Sequence, residues 1–227
     1  MRPLKQEHAL MDVEQARYNM IEQQIRTWDV LDQRILDLVA RVPREHFVPE
    51  QYQDIAFADL RIPLGDGHAM MEPKLEARIL QVVDVEPGDR VLEIGTGSGY
   101  LTACLSDLAD SVVSYEIDEN LSKQAGYRLA SEEHENISLR VGDAMGDLQL
   151  NEQFDVIVLT GSLPVMDKRF HELLKINGRL FMVVGEAPAM EALLITRVGD
   201  NEWSTESLFE TELAPLMNTP VPSHFSL

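Results

Sequence analysis

Residues 91–100 read Val-Leu-Glu-Ile-Gly-Thr-Gly-Ser-Gly-Tyr, an apolar strand that runs into a turn of alternating glycines and opens a helix. No other segment limits the fold as tightly. Three glycines so close together cost helix propensity and return no packing, so a bare strand–helix turn explains them poorly. Glycine at such a turn lets a ligand approach the backbone and tolerates positive φ. In an open α/β sheet the crevice beyond the carboxyl ends of the strands is where ligands bind.

The segments after residue 85 agree with that reading. Short apolar runs at 90–94, 112–117, 137–141, 154–160 and 180–184 alternate with helical stretches near 99–108, 120–130 and 167–174. Near-continuous apolar strands alternating with helices predict a mostly parallel, doubly wound sheet. Two further runs, 192–198 and 207–213, are joined by Gly199-Asp200-Asn201 and predict a terminal antiparallel hairpin.

Before residue 85 the pattern is helical. Tyr18, Ile21, Ile25 and Trp28 fall on one helical face, and Asp32 is placed to cap a helix carrying Ile35, Leu36 and Val39 inward. Residues 43–73, rich in Pro and Gly, read as a long irregular connection. A helix restarts after Pro73 with Leu75, Ile79, Leu80 and Val83 inward. Two regions are therefore expected: 1–84, a helical and substrate-loop extension, and 85–227, the ligand-binding core.

Composition excludes several functions. The 227 residues hold 19 Lys and Arg against 39 Asp and Glu, a net charge of −20. Such a chain has no surplus cations to neutralise nucleic-acid phosphates or to dock on anionic membranes. No stretch approaches the ~20 apolar residues of a membrane span. The single cysteine, Cys104, rules out an internal disulfide and a cysteine-based zinc site, and is expected in the core. The histidines show neither helical metal-site spacing nor an HExxH motif, so no metal is expected. The expectation is a cytoplasmic protein.

The ligand of the glycine turn is narrowed by what surrounds it. A P-loop needs Gly-Lys-Ser/Thr, and no lysine lies between Lys74 and Lys123. Dinucleotide folds prefer G-x-G-x-x-G, whereas this turn is G-x-G-x-G. From Val91 to Ser122 there is no Lys or Arg, but there are Glu93, Asp107, Asp110, Glu116, Asp118 and Glu119. That field suits a cation such as the sulfonium of S-adenosylmethionine better than a pyrophosphate. Glu116, at the end of the second strand, is placed to accept hydrogen bonds from ribose hydroxyls, and Asp143, after the third, from an adenine amino group.

Together these residues resemble class I S-adenosylmethionine-dependent methyltransferases. The segments Met20-Ile21-Glu22-Gln23-Gln24-Ile25-Arg26, Val42-Pro43-Arg44-Glu45-His46-Phe47-Val48-Pro49 and Pro63-Leu64-Gly65 are similar to the N-terminal half of the protein-L-isoaspartate O-methyltransferase family. Leu92–Tyr100 is similar to that family's cofactor motif, and Phe154–Val158 and Gly178–Leu180 to its later strands. The resemblance covers roughly residues 15–185. It implies an α/β Rossmann-like fold and methyl transfer to the α-carboxyl of isoaspartyl residues in damaged proteins or peptides, an ester that then collapses to a succinimide. It implies that Gly95, Thr96, Gly97 and Ser98 hold the methionine moiety, Glu116 the ribose and Asp143 with Ala144 the adenine. Glu93, Ile117 and Thr160 join the cofactor side.

The acceptor side departs from the family. Where the family has a Gly-Gln-Thr-Ile-Ser-Gln-Pro type segment, this chain has Gly67-His68-Ala69-Met70-Met71-Glu72-Pro73. Met71 stands where the active-site serine is expected, Ala69 where the threonine is. A thioether cannot donate the hydrogen bond a hydroxyl would. His68 and Met71 are thus the candidate acceptor-site residues. Two alternatives to isoaspartyl repair follow: methylation of another acceptor, a small molecule among the candidates, or a non-catalytic cofactor-binding relative.

Overall fold

The computed structural model describes residues 4–146, 150 and 152–220, with side chains from residue 12 onward. Helix α1 (Leu4–Met20) runs straight into a π-turn at Ile21–Ile25 and a 3-10 turn at Arg26–Trp28. The expected face is therefore broken. Tyr18 is 59% exposed, whereas Arg17, Met20, Ile21 and Ile25 are buried. A π-turn takes more residues than an α-turn and rotates the pattern, which a fixed helical period cannot register. Helix α2 (Gln33–Arg41) buries Ile35, Leu36, Leu38 and Val39, and the Arg34 N–H donates to the Asp32 cap at 2.8 Å.

Residues 43–73 are more ordered than expected. They hold 3-10 turns at Arg44–His46 and Glu50–Ile55 and a hairpin of β1 (Ile62–Gly65) and β2 (His68–Met70), with Ile62 opposite Met70. Asp66-Gly67 is a hairpin signal, but strands this short show no alternation to accompany it. Helix α3 (Pro73–Val83) follows, its Leu75, Ile79, Leu80 and Val83 buried as their spacing predicts. The chain divides into two compact units, Met1–Gln81 and Val82–Leu227, with the junction inside α3 and a few residues before the expected boundary after residue 84.

The second unit is built on β3 (Arg90–Ile94), α4 (Tyr100–Leu108), β4 (Ser111–Glu116), α5 (Glu119–Ser131), β5 (Ile137–Val141), β6 (Phe154–Leu163), α6 (Arg169–Glu172), β7 (Leu174–Glu186), β8 (Ala189–Gly199) and β9 (Glu202–Glu210). The strands form one sheet in the order β5-β4-β3-β6-β7-β8-β9. The first five are parallel. The last two pairings are antiparallel, as the terminal hairpin requires. Val156 to Leu159 of β6 and Leu180 to Val183 of β7 are each buried at every consecutive position. Consecutive burial means that both faces of the sheet are covered there.

Two elements differ from expectation. The helix expected at 167–174 is one turn, because Leu174 already pairs with Phe154 as the first residue of β7. The last strand is Glu202–Glu210 rather than 207–213: the tight turn pairs Gly199 directly with Glu202. Its alternation is faint because it is the sheet edge, with Glu202, Ser204, Thr205, Glu206, Ser207 and Glu210 all exposed. Among the described residues no helix is long and apolar enough to cross a membrane.

From β3 the chain steps outward through β4 and β5, then returns to the other side of β3 as β6. The order thus reverses between β3 and β6, and a crevice opens beyond their carboxyl ends at such a switch point.

Candidate active site

The glycine turn leaves β3 at that switch point. Gly95 and Thr96 donate their N–H groups to the Tyr115 carbonyl at 2.7 and 3.3 Å, tying the turn to the end of β4. Gly97 donates to Glu116 Oε2 at 2.8 Å, and Asp118 donates to Glu116 Oε1 at 3.1 Å. One carboxylate therefore spans the turn and the start of the β4–α5 connection. Gly95 has φ 99°. A Cβ there would lie 2.2 Å from Thr160 Oγ1. The Thr160 hydroxyl reaches the carbonyls of Ile94 at 2.8 Å and Gly95 at 2.7 Å, so β6 clamps the end of β3.

Glu93 takes a different place from the one the sequence suggests. It is 0% exposed, and its Oε2 accepts from the hydroxyls of Thr102 and Ser114, both at 2.5 Å. Ser114 Oγ lies 2.6 Å from Thr96 Oγ1. A sealed carboxylate offers no surface to a ligand. Glu93 supports the turn from behind, through Ser114 and Thr96, rather than lining the crevice.

The remaining cofactor-side residues gather at the strand ends. Ser98 is buried and its Oγ accepts the Tyr100 N–H at 3.2 Å, at the entry to α4. Ile117 follows β4 directly and is half-buried. Asp143 follows β5, where the Gly142 N–H is held by the Glu116 carbonyl at 2.9 Å. Its Oδ1 accepts the Met145 N–H at 2.8 Å. Ala144 is buried and packs in the main apolar core. The structure brings Gly95, Thr96, Gly97, Ser98, Glu116, Asp143 and Thr160 together around the β3, β4, β5 and β6 ends.

The local charge is more mixed than the sequence suggests. Asp107 and Asp110 flank the start of β4, at the opposite end of the sheet from the crevice. Asp118 is spent as the cap of α5, accepting from the N–H groups of Asn120 and Leu121 at 2.7 and 2.9 Å. A cation also arrives from later in the chain: Arg128, on α5, donates to the Ser98 carbonyl at 3.2 Å. Its burial holds its pKa below the usual arginine value. Glu119 is exposed at the first position of α5; of the carboxylates at the strand ends, Glu116 is 4% exposed and accepts a backbone N–H at each oxygen, and Asp143 is half-buried. Counting charge along the chain missed this, because the chain crosses the sheet twice between Val91 and Ser122.

His68 and Met71 belong to the first unit. His68 opens β2, opposite Gly65, and is half-buried. Met70 and Met71 are buried. The segment is held by Arg44, which is fully buried and which the sequence reading passed over as part of a motif. Its guanidinium donates to the Met71 carbonyl at 2.7 Å, to the Ala56 carbonyl at 2.8 Å and to Glu76. Burial raises the Glu76 pKa to about 7 against the opposing pull of Arg44.

These groups discriminate between ligands. A phosphate-binding turn aims its N–H groups at the anion. Here the N–H groups of Gly95, Thr96 and Gly97 are already donated to Tyr115 and Glu116, so they form no anion cradle. What the crevice does offer is carboxylate acceptors, which match hydroxyls, an amino group and a positive centre. The residues present therefore fit an adenosyl sulfonium.

Comparison with known proteins points the same way. The family described as protein-L-isoaspartate(D-aspartate) O-methyltransferase matches residues 15–220. The protein-L-isoaspartate O-methyltransferase of Syntrophus aciditrophicus is 37% identical over 194 residues, 85% of this chain and 89% of that protein. That of Roseiflexus castenholzii is 35% identical over 207 residues, 91% and 94% of the two chains. A Plasmodium falciparum protein described as a protein-L-isoaspartate O-methyltransferase, solved in complex with S-adenosyl-L-homocysteine, superposes with a TM-score of 0.77 at 19% identity, covering 88% of this chain and 98% of that one. At that identity the likeness concerns the fold.

Proposed function

The chain belongs to the protein-L-isoaspartate O-methyltransferase family, and on that premise we propose that it methylates the free α-carboxyl of isoaspartyl residues in proteins or peptides. It has the α/β Rossmann-like class I methyltransferase fold and is an S-adenosylmethionine-dependent methyltransferase. The observation that carries the acceptor is the extent of the family match, which runs from the helical extension to the C-terminal segment and is not limited to the glycine turn.

When bound, S-adenosylmethionine supplies an electrophilic methyl on a sulfonium. The chain's own groups then have a limited task. A carboxylate acceptor is ionised at neutral pH and needs no general base. Alignment of the two reactants is what remains, worth up to ~7–11 kcal/mol in ideal cases. On the donor side, Thr160 and the Glu93–Ser114–Thr96 chain fix the turn, while Glu116 and Asp143 present carboxylates to the ribose and adenine. On the acceptor side, His68 brings an imidazole to the Gly67–Pro73 segment, and Arg44 holds that segment through the Met71 carbonyl.

The test is methanol release with an isoaspartyl peptide and its normal aspartyl counterpart. Turnover restricted to the isoaspartyl peptide is expected. Folded protein that binds S-adenosylhomocysteine yet releases no methanol overturns the acceptor. One observation favours a second reading in that event. Ala69, Met70 and Met71 place no hydroxyl where the family has two, which suits a less polar acceptor, small molecule included.

A further inference from the structure

Beyond β9 the chain turns back over the end of β6. Leu213 and Ala214 offer carbonyls that accept from Ser162 Oγ at 2.8 Å and Ser162 N at 2.9 Å. Leu216 returns its N–H to the Ser162 carbonyl at 3.0 Å. The approach is close: a Cβ on Gly161 would lie 2.7 Å from Leu216 Cδ2 and 3.1 Å from its backbone nitrogen. The same Leu216 Cδ2 is 3.9 Å from where a Gly95 Cβ would be. This segment, 213–218, is thus strapped across the strand end that carries Thr160 and beside the glycine turn.

The strap ends on the cofactor side. Asn218, in the left-handed conformation at φ 59°, donates from Nδ2 to Asp143 Oδ2 at 2.9 Å. Asp143 is therefore gripped at both oxygens, by the Met145 N–H from its own loop and by an amide 75 residues further along the chain. A carboxylate has about four acceptor positions, so two donors fix its plane and leave positions open. Asparagine is suited to this place on two counts, its tolerance of left-handed backbone and its amide donor.

We propose that Asn218 is a positioning residue for the adenine end of the cofactor site, orienting the Asp143 carboxylate so that its open lone pairs meet the adenine amino group. The inference rests on the assignment of Asp143 to adenine. Its distinctive consequence is selectivity: an amide that acts through Asp143 strengthens binding only of ligands that carry the exocyclic amino group.

The experiment is calorimetric titration of the full chain with S-adenosylhomocysteine and with its analogue in which hydrogen replaces that amino group. The variants are Asn218→Ala, Asn218→Asp and Asp143→Ala, with thermal unfolding as a check on folding. Asn218→Ala is expected to weaken S-adenosylhomocysteine about three- to tenfold and leave the analogue unchanged. Asn218→Asp, which keeps the shape and backbone tolerance but repels Asp143, should lose at least as much. Equal weakening of both ligands would mean a merely structural role and overturns the proposal, as does no change, or tighter binding by Asn218→Ala, which would make the strap an obstruction. The Asp143→Ala arm separates the two layers. If it leaves the preference for the amino group intact, the adenine assignment falls and the proposal with it; if it abolishes that preference while Asn218→Ala does not, the proposal alone falls.

Discussion

The hydroxyl of Thr160 occupies the space that a side chain on Gly95 would need, 2.2 Å from the position of its Cβ. The same hydroxyl bonds the Gly95 carbonyl at 2.7 Å. The turn and the clamp are thus fitted to each other, and neither can change alone. Gly95→Ala also places a side chain at φ 99°. It is expected to lower S-adenosylhomocysteine affinity by about tenfold or more, since left-handed backbone alone costs ~1–2 kcal/mol for a non-glycine residue. Thr160→Val keeps the volume and removes the donor, so it should lose less. Titration calorimetry on both variants checks the order.

Glu116 is 4% exposed and holds the turn through both carboxylate oxygens; the ribose role is its proposed second one, and the two can be separated by substitution. Glu116→Gln keeps an acceptor for one backbone N–H, while Glu116→Ala keeps neither. Hydrogen bonds to a charged group are worth ~1.5–3 kcal/mol, so the alanine variant is expected to bind S-adenosylhomocysteine about ten- to a hundredfold more weakly, with glutamine between. Glu119→Gln, exposed at the start of α5, serves as the control and should bind as the parent does.

Glu76 gives stability a pH dependence of known sign. Its pKa rises to about 7 in the folded state from an ordinary 4.5, because burial outweighs the attraction of Arg44. Between those values the folded protein holds a proton that the unfolded chain has released. The contribution of Glu76 is therefore fully present below pH 4.5 and is lost as pH rises to about 7, by up to roughly 3 kcal/mol. Glu76→Gln stays neutral throughout. The stability of the parent relative to this variant should fall across that window and then level off, as denaturant titrations at a series of pH values would show.

Arg44→Lys is expected to behave as a severe substitution despite the retained charge. The buried guanidinium serves Ala56, Met71 and Glu76 at once, a spread that a single ammonium cannot reproduce. Arg44→Ala, which takes the buried donor from the Ala56 and Met71 carbonyls as well as from Glu76, should cost about 2–5 kcal/mol of unfolding free energy. Chemical denaturation reads both. The lysine variant should also raise KM for the acceptor more than for the methyl donor, since the Met71 carbonyl loses its anchor.

The acceptor segment offers a gain-of-function test. With an isoaspartyl acceptor, Ala69→Thr combined with Met71→Ser restores the family's hydroxyls and is expected to raise kcat/KM for an isoaspartyl peptide, with no change in S-adenosylhomocysteine affinity. A fall in kcat/KM would mean that the methionine pair is adapted to the acceptor this protein uses.

What the sequence made legible was the part built from local rules. The strands β3 and β5, the glycine turn, the Asp32 cap and the inward face of α3 follow from patterns read within a few residues. The misreadings came where distant segments decide. Tyr18 is exposed because a π-turn after it shifts the phase, and no local residue announces that turn. The position of Glu93 in the motif points to the crevice, whereas Thr102 and Ser114, from α4 and β4, enclose it. Arg128 and Asn218 come from later elements, so neither the charge of the one nor the amide of the other is contained in residues 91–122. Leu213 is apolar and reads as strand, yet it is the buried first residue of the strap.

The exposed edge of the sheet has a consequence of its own. Among the described residues β9 is the last strand of the sheet, with β8 as its neighbour, and a sheet edge is the kind of rim on which a second molecule can add a strand and begin to aggregate. Here that rim carries Glu202, Glu206 and Glu210, all exposed, and Glu191 of the neighbouring strand adds another. Two copies approaching rim to rim would bring like charges together before any backbone pairing could form. Like charges spaced along this rim therefore oppose the edge-to-edge approach of a second copy.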